Sequence, residues 1–139
     1  MKLLYITANP KPEVDSACKT CARTLLNKCI EQSPDMIVEV INLYEETIPE
    51  VDFEIYTGRS ELKSEAEYDS LNDDKKSKID RVNFLCEQFL SADKYIIAAP
   101  MWSLLFPGRL SNYLNCIIQH NKVIDVNPLM VKGLLDDKD

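Results

Sequence analysis

Three short apolar runs, separated by longer segments with helical periodicity, restrict the fold of this chain more than any other feature of its sequence. The runs cover residues 2–8, 36–43 and 94–99, and each is short and continuously apolar, like a strand with both faces covered. Parallel strands need a crossover connection of a dozen or more residues, which the intervening segments supply. We therefore predict an α/β fold with one parallel sheet, right-handed crossovers and the strand order 2-1-3.

The segments between the runs predict helices on both faces of this sheet. Apolar residues three and four positions apart indicate helices over residues 16–33, 73–93 and 110–118, and Asp73 or Asp74 is expected to cap the second. Residues 44–72 are acidic and have few periodic apolar positions, so they predict a surface excursion. We expect residues 1–139 to form a single domain.

The composition excludes several classes of partner. The chain has 139 residues, with 16 Lys and Arg against 23 Asp and Glu and a formal net charge of −7, which opposes binding to nucleic acid and to anionic membrane surfaces. The first ten residues lack the pattern of a signal peptide, and no segment approaches a membrane span. These features predict a cytoplasmic protein whose five cysteines are reduced thiols.

Loops that leave the carboxyl ends of the first and third predicted strands are expected to form a ligand site, because open α/β sheets bind ligands there. One loop leads to Ser16 and the free backbone N–H groups of Ala17 and Cys18 at a helix start, where anions bind readily. The alternative is that Ser16 only caps its helix. The other loop carries Trp102, the only tryptophan of the chain.

Cys18 and Cys21 form a C-x-x-C pattern at the start of the first predicted helix, where thiol-disulfide chemistry is possible. Both residues also lie on the apolar stripe of that helix with Cys29, and burial as small apolar residues is the favoured interpretation. It predicts that the three cysteines face the sheet and stay reduced. The remaining cysteines are not paired for zinc, and His120 is expected to act as a cation near a helix end.

Three stretches of the sequence together resemble one known family. They are LYITANPKPEVDSAC at 4–18, INLYEETIPEVD at 41–52 and LCEQFLSADKYIIAAPMW at 85–102. They are similar to the FMN-dependent NADH-azoreductases, flavodoxin-like NAD(P)H:quinone oxidoreductases that have also been labelled acyl carrier protein phosphodiesterases. The third stretch is the most specific, since the flavin loop of that family reads Pro-Met-Trp or Pro-Met-Tyr, followed by Asn-Phe.

The resemblance implies a function. Electrons would pass from NADH or NADPH through FMN to a small quinone or azo compound in a ping-pong cycle, with no catalytic side chain, in a homodimer. It implies phosphate contacts from Ser16, Ala17 and Cys18 with Asn9 nearby. It assigns the flavin-ring loop to Pro100, Met101, Trp102, Ser103 and Leu104.

The chain also departs from the family pattern. Ser103 and Leu104 occupy the positions of Asn and Phe, and Cys18 replaces a phosphate-loop serine. Residues 134–139 lie where the fourth strand of the family begins, so the C-terminal strands are expected to be missing. Two alternatives stay open: a non-catalytic flavodoxin-like interaction module, and a thiol redox protein that uses Cys18 and Cys21.

Overall fold

The computed structural model describes residues 1–136 and 138, which form seven short strands and four helices. In chain order the strands are β1 (Lys2–Thr7), β2 (Ile37–Asn42), β3 (Tyr56–Gly58), β4 (Glu61–Leu62), β5 (Lys94–Ala98), β6 (Ile124–Val126) and β7 (Val131–Gly133). The helices are α1 (Ala17–Gln32), α2 (Glu65–Tyr68), α3 (Asp73–Leu90) and α4 (Gly108–Ile117), and a 3₁₀ turn covers Glu13–Asp15.

The main sheet is parallel, with the order β2-β1-β5. Leu3 of the central strand lies opposite Val38 on one side and Lys94 on the other. Four consecutive residues of β1, Leu3 to Ile6, are almost completely buried, as an apolar strand in the middle of a sheet requires. The predicted parallel sheet with the order 2-1-3 is therefore confirmed.

Helix α1 packs on this sheet through a narrow stripe. Ala22 and Leu26 join a buried cluster with Leu3, Tyr5, Ile96 and Ala98, and Cys29 packs against its edge. The stripe predicted from the sequence is wider than the stripe that the helix buries. In particular, Cys21 is exposed, so the prediction that it faces the sheet is wrong. Cys18 is half-buried, and all five cysteines are free thiols.

The described residues divide into two compact units. One comprises Met1–Thr47 and Ser91–Ser111 and contains the parallel sheet with α1, and the other comprises Ile48–Leu90 and residues 112–136. Helix α4 contributes its first residues to the former and the rest to the latter. The single domain over residues 1–139 stays a prediction.

The second unit contains structure that the sequence did not predict. Strands β3 and β4 pair as an antiparallel hairpin, with Ser60 at a φ of 59° in its turn, and α2 follows. Ile48 and Ile55 are buried, so the predicted surface excursion at 44–72 is wrong for these residues. Helix α3 is capped by Asn72, whose side-chain oxygen accepts a hydrogen bond from the Lys75 N–H at 3.0 Å, instead of by Asp73 or Asp74.

The end of α4 also differs from the prediction. The helix ends at Ile117, and His120 lies beyond it. The ring Nδ1 of His120 accepts a hydrogen bond from the Val126 N–H at 3.1 Å, so the ring contacts β6 instead of the end of α4. Strands β6 and β7 form an antiparallel hairpin that the sequence did not indicate. No helix within residues 1–136 and 138 is long and apolar enough to cross a membrane.

Candidate functional site

A pocket of about 420 Å³ lies in the first unit, where the chain leaves the carboxyl ends of β1 and β5. Ligands of open α/β sheets bind at this position, because the loops after neighbouring parallel strands meet there. Seven of the nine site residues predicted from the sequence line the pocket: Asn9, Ser16, Ala17, Cys18, Pro100, Met101 and Trp102. The volume is within the usual range for small-ligand pockets.

Asn9 ties the loop after β1 to the start of α1. It is 4% exposed, and its side-chain nitrogen donates to Ser16 Oγ at 2.8 Å and to Cys18 Sγ at 3.4 Å. Its side-chain oxygen accepts a hydrogen bond from the Lys11 N–H at 3.0 Å. Both ends of this buried amide are therefore paired, which fixes the loop around the helix terminus.

The amino terminus of α1 lies at this end of the pocket. Ser16 caps the helix by accepting a hydrogen bond from the Lys19 N–H at 3.4 Å. The N–H groups of Ala17 and Cys18 belong to the first turn, where a helix offers no carbonyl partner of its own. The positive end of the helix dipole adds to their attraction for an anion.

Lys19 holds the rest of this loop and was not predicted from the sequence. Lys19 is 8% exposed, and its ammonium group donates to the Lys11 carbonyl at 2.7 Å. Lys11 and Asp15 line the pocket with Ala99 and were also missed. Their only signal in the sequence is their position in the loop between a strand end and a helix start.

The Cys18 thiol is polarised by its neighbours. Ser16 Oγ lies 3.3 Å from Cys18 Sγ, and the Asn9 amide donates to the same sulfur. Burial opposes ionisation, but these hydrogen bonds and those of the backbone N–H groups of Lys19 and Cys18 lower the pKa of the Cys18 thiol below its usual value. The same end of the pocket thus favours negative charge on a side chain as well.

The opposite wall of the pocket is a tight hairpin after β5. Trp102 and Leu105 exchange two backbone hydrogen bonds at 2.7 and 2.8 Å. The residues between them, Ser103 and Leu104, have φ angles of 48° and 64°, as a two-residue turn with two left-handed positions requires. The turn holds the backbone of Trp102 firmly while leaving its indole 45% exposed.

Ser103 and Leu104 do not line the pocket with the other predicted residues. They form the tip of the hairpin, where Leu104 is 85% exposed. Met101 and Trp102 provide the apolar surface instead, and both remain open to solvent. The pocket therefore has the amino terminus of α1 at one end and an apolar surface at the other.

A second pocket of about 410 Å³ lies in the other unit, next to Tyr56. The Tyr56 hydroxyl donates to the Asn115 carbonyl at 3.1 Å, and burial raises the pKa of this tyrosine to about 12. The hydroxyl is therefore a fixed hydrogen-bond donor at neutral pH. Its lining includes Asn115 and Ile118 at the carboxyl end of α4, whereas the pocket beside Ser16 lies at a helix amino terminus.

The whole chain matches one protein family. The characteristic sequence of a family described as having a flavodoxin-like fold matches residues 1–139. The chain belongs to this family. The flavodoxin-like fold is a parallel sheet flanked by helices, in agreement with the order β2-β1-β5.

Individual members of the flavodoxin-like family are also similar to this chain. The FMN-dependent NADH:quinone oxidoreductase of Ruminiclostridium cellulolyticum is 41% identical over 138 residues, which cover 99% of this chain and 65% of that protein. The crystal structure of azoreductase AzrA superposes with a TM-score of 0.82 at 22% identity and covers 99% of this chain and 65% of its own. An FMN-dependent NADH-azoreductase from Bacillus anthracis in complex with FMN gives 0.80 at 23% identity, covering 99% and 64%.

These flavodoxin-like relatives are longer than the present chain, which spans about 65% of their length. The two solved structures show the fold that the chain shares with them.

Proposed function

We propose that the pocket beside Ser16 and Trp102 holds FMN, and that the chain takes part in NADH-dependent reduction of quinones or azo compounds. The observation that carries the proposal is the pairing of an anion-binding helix terminus with an exposed indole at one edge of the sheet. FMN has the same two ends, a phosphate and an aromatic ring. The names of the similar oxidoreductase and azoreductase proteins support the same ligand.

The residues at the helix end fit a phosphate group. The N–H groups of Ala17 and Cys18 would donate to phosphate oxygens, with the Ser16 hydroxyl beside them. Lys11 and Asp15 both line the pocket wall, so their opposite charges offset each other and the backbone N–H groups carry the argument. The buried Asn9 holds Ser16 in place, so these donors need little rearrangement to receive an anion.

The residues of the hairpin fit a flavin ring. Met101 and Trp102 would cover one face of the ring with apolar surface, and the backbone beyond Pro100 would hydrogen-bond its polar edge. In this proposal Ser103 and Leu104 act through the turn that fixes Trp102. Bound FMN would supply the hydride and electron transfer, and the chain's own residues would bind and orient it.

Comparing FMN with riboflavin tests the phosphate end directly. We expect FMN to bind at least about tenfold more tightly, because one hydrogen bond to a charged group stabilises by about 1.5–3 kcal/mol. Flavin fluorescence titrated with the purified chain measures both dissociation constants. Equal affinities would contradict the phosphate assignment, and no binding of either flavin would favour a non-catalytic module.

Ser16→Ala should reduce this difference between FMN and riboflavin, because the variant removes the hydroxyl and the helix cap. Ser33→Ala is the matched control, since Ser33 closes the other end of α1 through its backbone N–H. NADH oxidation with a soluble benzoquinone then tests the reaction, with the Ruminiclostridium cellulolyticum relative as positive control. If FMN bound but NADH was not oxidised, the proposed binding site would be supported and the proposed activity would be contradicted.

We extend the proposal to a homodimer. In the part of the chain that the structure describes, β5 pairs only with β1, and its Ile97 is 46% exposed. An open strand edge with apolar side chains favours association with another chain. Light scattering at micromolar concentration should therefore give twice the monomer mass, and a monomer mass would contradict the proposal.

A further inference from the structure

Two cysteines on α1 border an apolar groove next to the proposed flavin pocket. Cys18 and Cys21 line this groove together with Leu25 of the same helix and Ile97 of β5. Cys21 is exposed and Cys18 is half-buried. Both thiols are therefore open to a small reactant from one side of the helix.

The other cysteines lie in different surroundings. Cys86 and Cys116 are buried, and their thiols face the carbonyls of Ile117 and Pro49, each at 3.5 Å. Burial raises the pKa of both, to about 12 for Cys116, so neither is a thiolate at neutral pH. Cys29 packs against the core cluster under α1. Only the two cysteines at the start of α1 combine access with proximity to each other.

The surroundings of Cys18 favour an attacking thiolate. The Asn9 amide and the Ser16 hydroxyl both reach its sulfur, at 3.4 and 3.3 Å. These groups, together with the backbone N–H groups at the helix start, lower the pKa of Cys18 despite partial burial. Thiolates are the nucleophiles of thiol-disulfide exchange, and this environment resembles that of reactive cysteines in general.

A buried hydroxyl lies within electrostatic reach of the same sulfur. Tyr5 is 1% exposed, and its hydroxyl has no hydrogen-bond partner within residues 1–136 and 138. Burial raises the pKa of Tyr5, the Arg23 guanidinium opposes this, and the charges of Glu13 and Cys18 add to it.

The helix geometry permits a bond between the two sulfurs after a small local change. Residues i and i+3 of an α-helix have Cα atoms about 5 Å apart, within the range of about 4.4–6.8 Å that disulfides span. Their Cβ atoms, about 5–6 Å apart, must approach by about 1 Å. Cys18 lies in the first turn of α1, where the backbone N–H groups have no carbonyl partner within the helix.

We propose that Cys18 and Cys21 form a reversible dithiol-disulfide pair that reacts with low-molecular-weight disulfides. The Cys18 thiolate attacks one sulfur of the disulfide, forms a mixed disulfide and releases one thiolate. Cys21 then loses its proton to solvent and attacks Cys18 Sγ, which releases the second thiolate and closes the Cys18–Cys21 bond. Two cysteine thiols are oxidised, and one disulfide is reduced to two thiols. The inference does not rest on the proposed flavin function, and it is tested on the chain without FMN, because a phosphate at the Cys18 N–H would occupy the same end of the pocket.

Glutathione disulfide is a suitable probe. The reduced chain, treated with an excess of it and then acidified, is expected to lose two hydrogens in mass without a lasting adduct. Trypsin cleaves after Lys19, so a disulfide-linked pair of peptides would identify the Cys18–Cys21 bond. A chain that retains five thiols, or a disulfide that includes Cys29, would overturn the proposal.

Single variants separate the two roles. Cys21→Ser should stop at one glutathione on Cys18, formed about tenfold faster than any adduct on Cys29. Cys18→Ser should form neither this adduct nor the disulfide, and Cys29→Ser, on the same helix, should behave like the parent. Cys18→Ala repeats the Cys18→Ser test if serine disturbs the start of the helix. If adducts formed on Cys18 and Cys29 at equal rates, Cys18 would have no more than the reactivity of an ordinary thiol, and the proposed dithiol-disulfide pair would be contradicted.

Discussion

Replacing Trp102 with alanine is expected to weaken FMN binding about five- to 150-fold. The indole is 45% exposed in the pocket wall, and an aromatic side chain buries about 150–250 Å² when fully covered. A flavin ring would therefore cover up to about 100 Å² of it, which corresponds to about 1–3 kcal/mol. Titration of flavin fluorescence with parent and variant chains measures this difference.

The Trp102→Ala variant should lose its contact with the flavin but keep the conformation of the hairpin. The hairpin is closed by backbone bonds between Trp102 and Leu105, which alanine also makes. Phe106→Ala is the matched control, because Phe106 is similarly exposed, at 48%, but does not line the pocket. If FMN bound equally to the parent and to Trp102→Ala, the indole would have no part in the ring site.

The site was predictable where it follows from strand ends and helix starts. Ser16 precedes a periodic apolar segment, and the run that ends at Ala99 leads directly to Pro100, so both loops were identifiable. The buried Lys19 was not, because its partner is a carbonyl that only the folded loop brings within reach. The turn at Ser103 and Leu104 was also hidden, since Asn-Gly or a similar pair is the usual signal for two left-handed positions.

The fold was predictable where apolar runs are continuous, and less so where helix faces must be assigned. The sheet followed from the runs, because strands buried on both faces leave a plain signal. For α1, counting cysteine and leucine alike as core residues made the predicted stripe too wide, since Cys21 and Leu25 lie toward the groove. The periodicity of a helix gives the direction of its buried face but not the width.

The prediction of a surface excursion over residues 44–72 was wrong for a different reason. Its strands are two and three residues long, too short for alternation to be detected. Their turn places Ser60 at a positive φ, which serine rarely signals. Ile48 and Ile55 are isolated apolar residues in an acidic stretch, and only tertiary packing explains their burial.

Leu26→Ala is expected to lower the free energy of unfolding by about 2–5 kcal/mol, the usual cost of truncating a buried leucine. Leu26 is 1% exposed and belongs to the cluster that joins α1 to β1 and β5, so alanine leaves a cavity that rigid strands cannot fill. Urea unfolding followed by circular dichroism measures the change. Leu26→Met, which conserves volume, should cost less than about 1.5 kcal/mol and keeps the test measurable if the alanine variant does not fold.

Leu25, the residue next to Leu26, is the matched control, because it is apolar but lies on a face of α1 that is not buried. Leu25 is 54% exposed, and Leu25→Ala should change the free energy of unfolding by no more than about 0.5 kcal/mol, since alanine also suits a helix. Because the two leucines are adjacent, differences in helix propensity cancel between the variants. Equal losses would mean that the groove beside Leu25 is filled in solution, as it would be if a second chain covered the open edge of β5.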